Sequence, residues 1–138
     1  MKIENSPAGD ESKKVPELRM IAWEVTGACN LNCVHCRAAA VNTPPPGELS
    51  TEEAFRFLDE VASFAKPIII LTGGEPLMRA DIFEIASYGT ERGLRMVMSP
   101  NGTLINPTVS RKMLASGIKR VSTSLDGSNP QIHDTFRR

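Results

Sequence analysis

The only three cysteines of this chain, Cys29, Cys33 and Cys36, fall within one eight-residue stretch spaced C-x-x-x-C-x-x-C. Three thiolates on one short loop can hold three irons of a cubane iron–sulfur cluster, and no fourth thiol exists to close the site. An electron-transfer ferredoxin needs four cysteines for a complete cluster, and a structural zinc site needs a closed set of four ligands. Three ligands with one position open point to a metal that binds something other than protein. Other readings are weaker. Three cysteines clustered in a polar loop make poor core filler. An odd count and short spacings disfavour a disulfide framework. Zinc could recruit His35, but that residue adjoins Cys36, and neighbouring side chains seldom converge on one tetrahedral ion.

Charge narrows the partners. Sixteen basic residues balance sixteen acidic ones, so bulk electrostatics suggests neither nucleic acid nor an anionic membrane. The longest apolar run, Ile68 to Leu71, is strand-sized and far short of the ~20 residues that span a bilayer. The first residues carry no hydrophobic secretion segment, and a cytoplasmic, reducing setting is expected. Residues 1–17 are polar and aperiodic and read as a disordered lead-in. The unit from 18 to 138 is long enough for a modest core.

Met20 to Thr26 is apolar and β-prone and ends just before the cysteines. Ser50-Thr51-Glu52-Glu53 is a capping box, followed by Ala54, Phe57, Leu58, Val61 and Phe64/Ala65 at helical spacing. A buried strand over Ile68–Thr72 leads into Gly73-Gly74-Glu75-Pro76. A second helix is predicted from about Asp81 to Arg92, with Asp81 as cap and Gly93 beyond its end. Leu94 to Met98 reads as a third strand, before Ser99-Pro100-Asn101-Gly102. Asn106-Pro107 opens a third helix that Gly117 closes, and Ile118 to Leu125 reads as a fourth strand, before Asp126-Gly127. This order predicts an α/β fold with parallel strands. Each unusual motif follows a strand, where ligands bind in α/β architectures.

The glycines of GGEP would let backbone approach a ligand and offer carbonyls to an ammonium group, or simply make a turn. Glu75 is either a ligand-side charge or an ordinary solvent-facing acid. Along the fourth strand Ser122, Ser124 and Asp126 alternate with Val121, Thr123 and Leu125, as for a polar cavity wall or an exposed edge. Asn101 reads equally as ligand partner or Asn-Gly turn. Arg137 is either a carboxylate partner or a surface arginine, His133 a cap or surface residue, and Met96 and Met98 core.

At these residues the chain resembles the radical S-adenosylmethionine (SAM) superfamily. The stretch Cys29 to Cys36 matches that family's cysteine motif, and Gly73 to Pro76 its glycine-rich motif. The resemblance covers residues 19–138. Within it, IAWEVTGACNLNCVHCRAAA with the later SLDG and His-Asp-x-x-Arg is similar to tetrapyrrole-modifying members, although peptide- and cofactor-maturing relatives share much of the pattern. The resemblance implies a 4Fe–4S cluster on Cys29, Cys33 and Cys36, with SAM chelating its fourth iron and being cleaved reductively to a 5′-deoxyadenosyl radical. It implies that Gly73, Gly74 and Glu75 meet the methionine amine, Ser124 and Arg137 its carboxylate, and Ser99, Asn101 and Asp126 the ribose. The backbone at His35 would meet adenine, where the family often has an aromatic ring. An electron donor such as flavodoxin or ferredoxin is implied, with a small-molecule substrate, a tetrapyrrole first.

The expected fold is therefore the N-terminal part, about four βα units, of a partial (βα)6 barrel. Scaling from ~250 residues for eight units, six need roughly 190. The stretch from 18 to 138 is shorter, so the C-terminal part of the core is expected to lie elsewhere and these residues alone to be inactive. A non-catalytic iron–sulfur or zinc module is the alternative of another class.

Overall fold

A computed structural model describes residues 16–138; all but the last two positions of the expected lead-in lie outside the described residues. The elements are β1 (Met20–Thr26), α1 (Thr51–Phe64), β2 (Ile68–Gly73), a 3-10 turn (Pro76–Met78), α2 (Ile82–Glu91), β3 (Arg95–Met98), α3 (Pro107–Ala115) and α4 (Pro130–Arg137). The strands form one parallel sheet in the order β1-β2-β3, as the N-terminal part of a partial α/β barrel requires.

Alternation along the strands separates two faces. Ile21, Trp23 and Val25 on β1 align with Ile69 and Leu71 on β2 and with Met96 and Met98 on β3. That face joins Ala54, Leu58 and Val61 of α1, Ile82, Ile85 and Ala86 of α2, and Met113 of α3 in one core. The opposite face carries Met20, Ala22 and Glu24, then Ile68, Ile70 and Thr72, then Arg95, Val97 and Ser99, and stays largely open.

The capping box forms as the sequence indicates: Glu53 N–H donates to Ser50 Oγ at 3.2 Å and Ser50 N–H to Glu53 Oε2 at 2.8 Å. Phe64, expected on the buried stripe, is 68% exposed. It is the last residue of α1, and Ala65 is already extended, so the chain turns off before Phe64 can pack. Asp81 occupies the N-cap of α2 but makes no capping bond, because its carboxylate is engaged by Arg79 and Thr51.

The expected fourth strand over Ile118–Leu125 is reduced to a single parallel bridge between Val121 and Met98. Lys119 N–H donates to Met96 O at 2.9 Å, and Met98 N–H and Ser122 N–H close the pattern with Arg120 O and Met98 O, each at 3.0 Å. Pairing stops there for a physical reason. β3 ends at Met98, and Pro100 has no N–H with which to continue a ladder. Thr123 to Leu125 are left without a partner, and Leu125 is 83% exposed.

Helix α4 was not among the elements read from the sequence. Its start repeats the Asn-Pro signal that opens α3: Asn129 Oδ1 accepts from Ile132 N–H at 3.0 Å, as Asn106 Oδ1 accepts from Thr108 and Val109.

Candidate metal and cofactor site

The loops after β1, β2 and β3 are bonded into one rim. Gly74 N–H donates to Thr26 O at 2.8 Å and Glu75 N–H to Ala28 O at 2.7 Å, which seats the GGEP turn on the base of the cysteine loop. Gly73 has φ +129°, a conformation L side chains rarely adopt, and a Cβ at Gly74 would lie 2.2 Å from Ala28 O. The need for glycine here is thus internal: backbone packs on backbone before any ligand arrives.

Glu75 is wholly buried and not a solvent-facing acid. Its Oε1 accepts from Leu77 N–H at 3.0 Å and its Oε2 from Asn101 N–H at 2.6 Å, so one side chain clips the turn after β2 to the turn after β3. Burial pushes its carboxyl above the ordinary value, and the two N–H donors pull it part of the way back. With the folded value raised, this group's contribution to stability is complete below the ordinary carboxylate range and fades as pH rises through the folded value. Replacing Glu75 with Ala strands two partly buried N–H groups, each costing up to about 1–3 kcal/mol. We expect a urea midpoint well below the parent's, and an unchanged midpoint would remove the clip from this account.

Asn101 makes the turn that is one of its two readings from the sequence, and adds a tie that neither reading foresaw. Its Oδ1 accepts from Thr103 N–H at 2.9 Å and its Nδ2 donates to Asn30 Oδ1 at 2.8 Å, so it makes its own turn and ties that turn to the cysteine loop. Asn30 returns a bond to Thr103 Oγ1 at 2.8 Å. Ser99 borders the open face, and its N–H donates to Leu71 O at 2.9 Å. Ser124 stands exposed and makes no hydrogen bond among the described residues.

The far side of the cysteine loop is held by the end of α4. Val34 N–H donates to Phe136 O at 2.9 Å, and the His35 ring stacks on Phe136 with centroids 4.5 Å apart. Arg137 Nη1 points to Cys33 Sγ at 3.6 Å, and its Nε lies 2.5 Å from Asp126 Oδ2. That ion pair is close but out of line for a hydrogen bond, and Arg137 Nη2 is buried with no partner. His133 braces the same turn, its Nδ1 accepting from Asp126 N–H at 3.2 Å.

Sequence reasoning missed the supports beneath the loop. Glu48 Oε1 accepts from Thr26 Oγ1 and Gly27 N–H, both at 2.7 Å. Buried Arg79 donates to Val25 O and Leu49 O, each at 2.8 Å, and to both oxygens of Asp81. Burial raises the Asp81 carboxyl, but its bonds to Arg79 and Thr51 and the guanidinium's charge outweigh that and hold it below its usual value. These partners lie more than twenty residues from the backbone they anchor, so no local spacing announces them.

All three cysteines are free, with Cys29 buried and Cys33 and Cys36 partly so. Among the described residues no three His, Cys, Asp or Glu side chains converge on a single ion. A cubane asks something different, since each thiolate holds its own iron and the sulfurs stand apart. An anionic cluster with a carboxylate-bearing ligand also fits the guanidinium beside Cys33, whose Nη2 has no partner. The donor set and its charge thus suit an iron–sulfur cluster better than a closed zinc site.

Comparison with known proteins agrees with this geometry. The family model described as the Radical SAM superfamily matches residues 23–138. The AdoMet-dependent heme synthase of Methanosarcina barkeri is 59% identical over 119 residues, covering 86% of this chain and 34% of that protein. The Fe-coproporphyrin III synthase of the same organism is 42% identical over 138 residues, covering 94% of this chain and 34% of that protein. The chain thus spans about a third of the length of the curated relatives it matches. Among solved structures, Streptococcus suis SuiB bound to S-adenosylmethionine superposes with a TM-score of 0.72 at 18% identity, over 88% of this chain and 28% of that one. At that identity the likeness concerns the fold alone.

Proposed function

This chain belongs to the radical SAM superfamily, a family of enzymes that use a 4Fe–4S cluster and S-adenosylmethionine, and we propose that the protein carrying it modifies a tetrapyrrole in haem biosynthesis. In this reading Cys29, Cys33 and Cys36 hold the cluster, and the GGEP turn and Arg137 flank the SAM that completes it. Bound together, cluster and SAM supply a 5′-deoxyadenosyl radical for hydrogen abstraction. The chain's own residues position these groups: Glu75 and Asn101 lock the three loops, and α4 braces the cysteine loop through Phe136 and Arg137. We propose further that residues 18–138 form the N-terminal portion of a larger core, and that a low-potential donor such as flavodoxin or ferredoxin reduces the cluster.

One observation carries the substrate class: the heme synthase relative is 59% identical over 119 residues, 86% of this chain. No helix among the described residues is long and apolar enough to cross a membrane. The test is anaerobic iron–sulfide reconstitution of the protein carrying this chain, EPR with and without SAM, and then incubation with iron coproporphyrin III under reduction. We expect a cluster signal that SAM changes, and a porphyrin product of altered mass. A signal indifferent to SAM would overturn the cofactor reading. A SAM-responsive cluster that never alters a porphyrin would overturn the tetrapyrrole reading alone.

A further inference from the structure

The open face of the sheet holds two arginines that no ion pair uses among the described residues. Strand register sets their surroundings. Arg95 aligns with Ile68 and Met20, and Val97 with Ile70 and Ala22. Because Val121 bridges Met98 on the core side, alternation turns Arg120 to the open face beside Val97. The two guanidiniums thus border an apolar floor of Met20, Ile68, Ile70 and Val97. Floor and arginines, with Ser99 and Ser122, line a cavity of about 410 Å³, within the size range of small-molecule sites. An apolar surface edged by two cations that pair with no acid among the described residues selects a molecule with an apolar body and a carboxylate arm.

The position along the strands adds a direction. Arg95 opens β3, whereas the cysteine loop and its neighbours cluster beyond the strand ends. Four residues of parallel strand separate Arg95 from Ser99, about 13 Å at 3.3 Å per residue. A flat molecule anchored at the arginines would reach toward the rim with its opposite edge. We propose that Arg95 and Arg120 together receive a propionate carboxylate of the tetrapyrrole, one remote from the reacting position, and so decide which edge of the macrocycle faces the cysteine loop. This rests on the tetrapyrrole reading above.

The experiment is a Soret-band titration of the protein carrying this chain with iron coproporphyrin III and, separately, with its tetramethyl ester. The parent should bind the acid more tightly than the ester. Arg95→Gln/Arg120→Gln should lose roughly ten- to hundredfold in affinity for the acid, the range for charge-assisted hydrogen bonds, and keep the parent's affinity for the ester. Both arginines are exposed, so the variant should fold, and an EPR response to SAM matching the parent's would confirm that its rim is intact. A double variant that discriminates acid from ester as well as the parent overturns the assignment to these two residues. If neither porphyrin shifts the Soret band of the parent, the tetrapyrrole reading fails and takes the proposal with it.

Discussion

Single replacement of Cys29, Cys33 or Cys36 by alanine should abolish the brown chromophore formed on anaerobic reconstitution, in each case almost completely. For the cluster seated on this stretch the expectation is all-or-none, because residues 1–138 hold three cysteines and no spare. A cluster left with two thiolates has two irons open to solvent and competing thiols. His35 offers no rescue, since its ring is stacked on Phe136. The three variants should differ in what else they disturb. Cys29 is buried, and its sulfur accepts from Leu31 N–H at 3.4 Å, so its loss should also loosen the loop. Cys36 is partly exposed, and its replacement should leave the apo fold as stable as the parent's. Iron and sulfide content, read with the absorbance near the cluster band, checks all three. A variant that keeps a stoichiometric cluster would remove that cysteine from the ligand set, and tetrahedral zinc retained in place of iron would overturn the cluster altogether.

Much of this arrangement was legible in the sequence because its signals are local. A capping box, an Asn-Pro start and a run of isoleucines each act within a few residues, and α1, α3, β1 and β2 form where those signals stand. The convergence of the loops could also be inferred, since parallel strands bring their carboxyl ends to one side. What could not be read is which side chain does the joining. GGEP and SPNG gave no sign that Glu75 would turn inward, because its partners are backbone N–H groups, one of them twenty-six residues away. Arg79 and Glu48 escaped for the same reason. The fourth strand failed differently. Its alternation is genuine, but a strand needs a neighbour, and β3 is only four residues long. Helix α4 shows the opposite failure, where a usable signal at Asn129-Pro130 went unread.

At the rim, Gly74→Ala should be strongly destabilising, whereas Gly47→Ala should cost less. The two positions isolate different physical terms. Gly47 has φ +91° with nothing within 4 Å of an added Cβ, so alanine there meets only the backbone penalty of a left-handed conformation, about 1–2 kcal/mol. At Gly74 the added Cβ would lie 2.2 Å from Ala28 O, 2.7 Å from Ala28 C and 2.9 Å from Gly27 O. These are backbone atoms at the base of the cysteine loop and cannot rotate aside. Relief requires the GGEP turn to move off β1, which stretches the bonds from Gly74 N–H to Thr26 O and from Glu75 N–H to Ala28 O. Overpacking alone costs about 1–3 kcal/mol, and two weakened hydrogen bonds add about 0.5–1.5 kcal/mol each. A total of about 2–6 kcal/mol is a large share of the ~5–15 kcal/mol typical of a domain. The displacement would also carry Glu75 away from Asn101, so cluster loading should fall with stability even where the variant still folds. Urea unfolding of the parent and both variants gives the comparison. Equal midpoints for Gly74→Ala and Gly47→Ala would mean that the close seating of the turn on the cysteine loop contributes nothing to the fold.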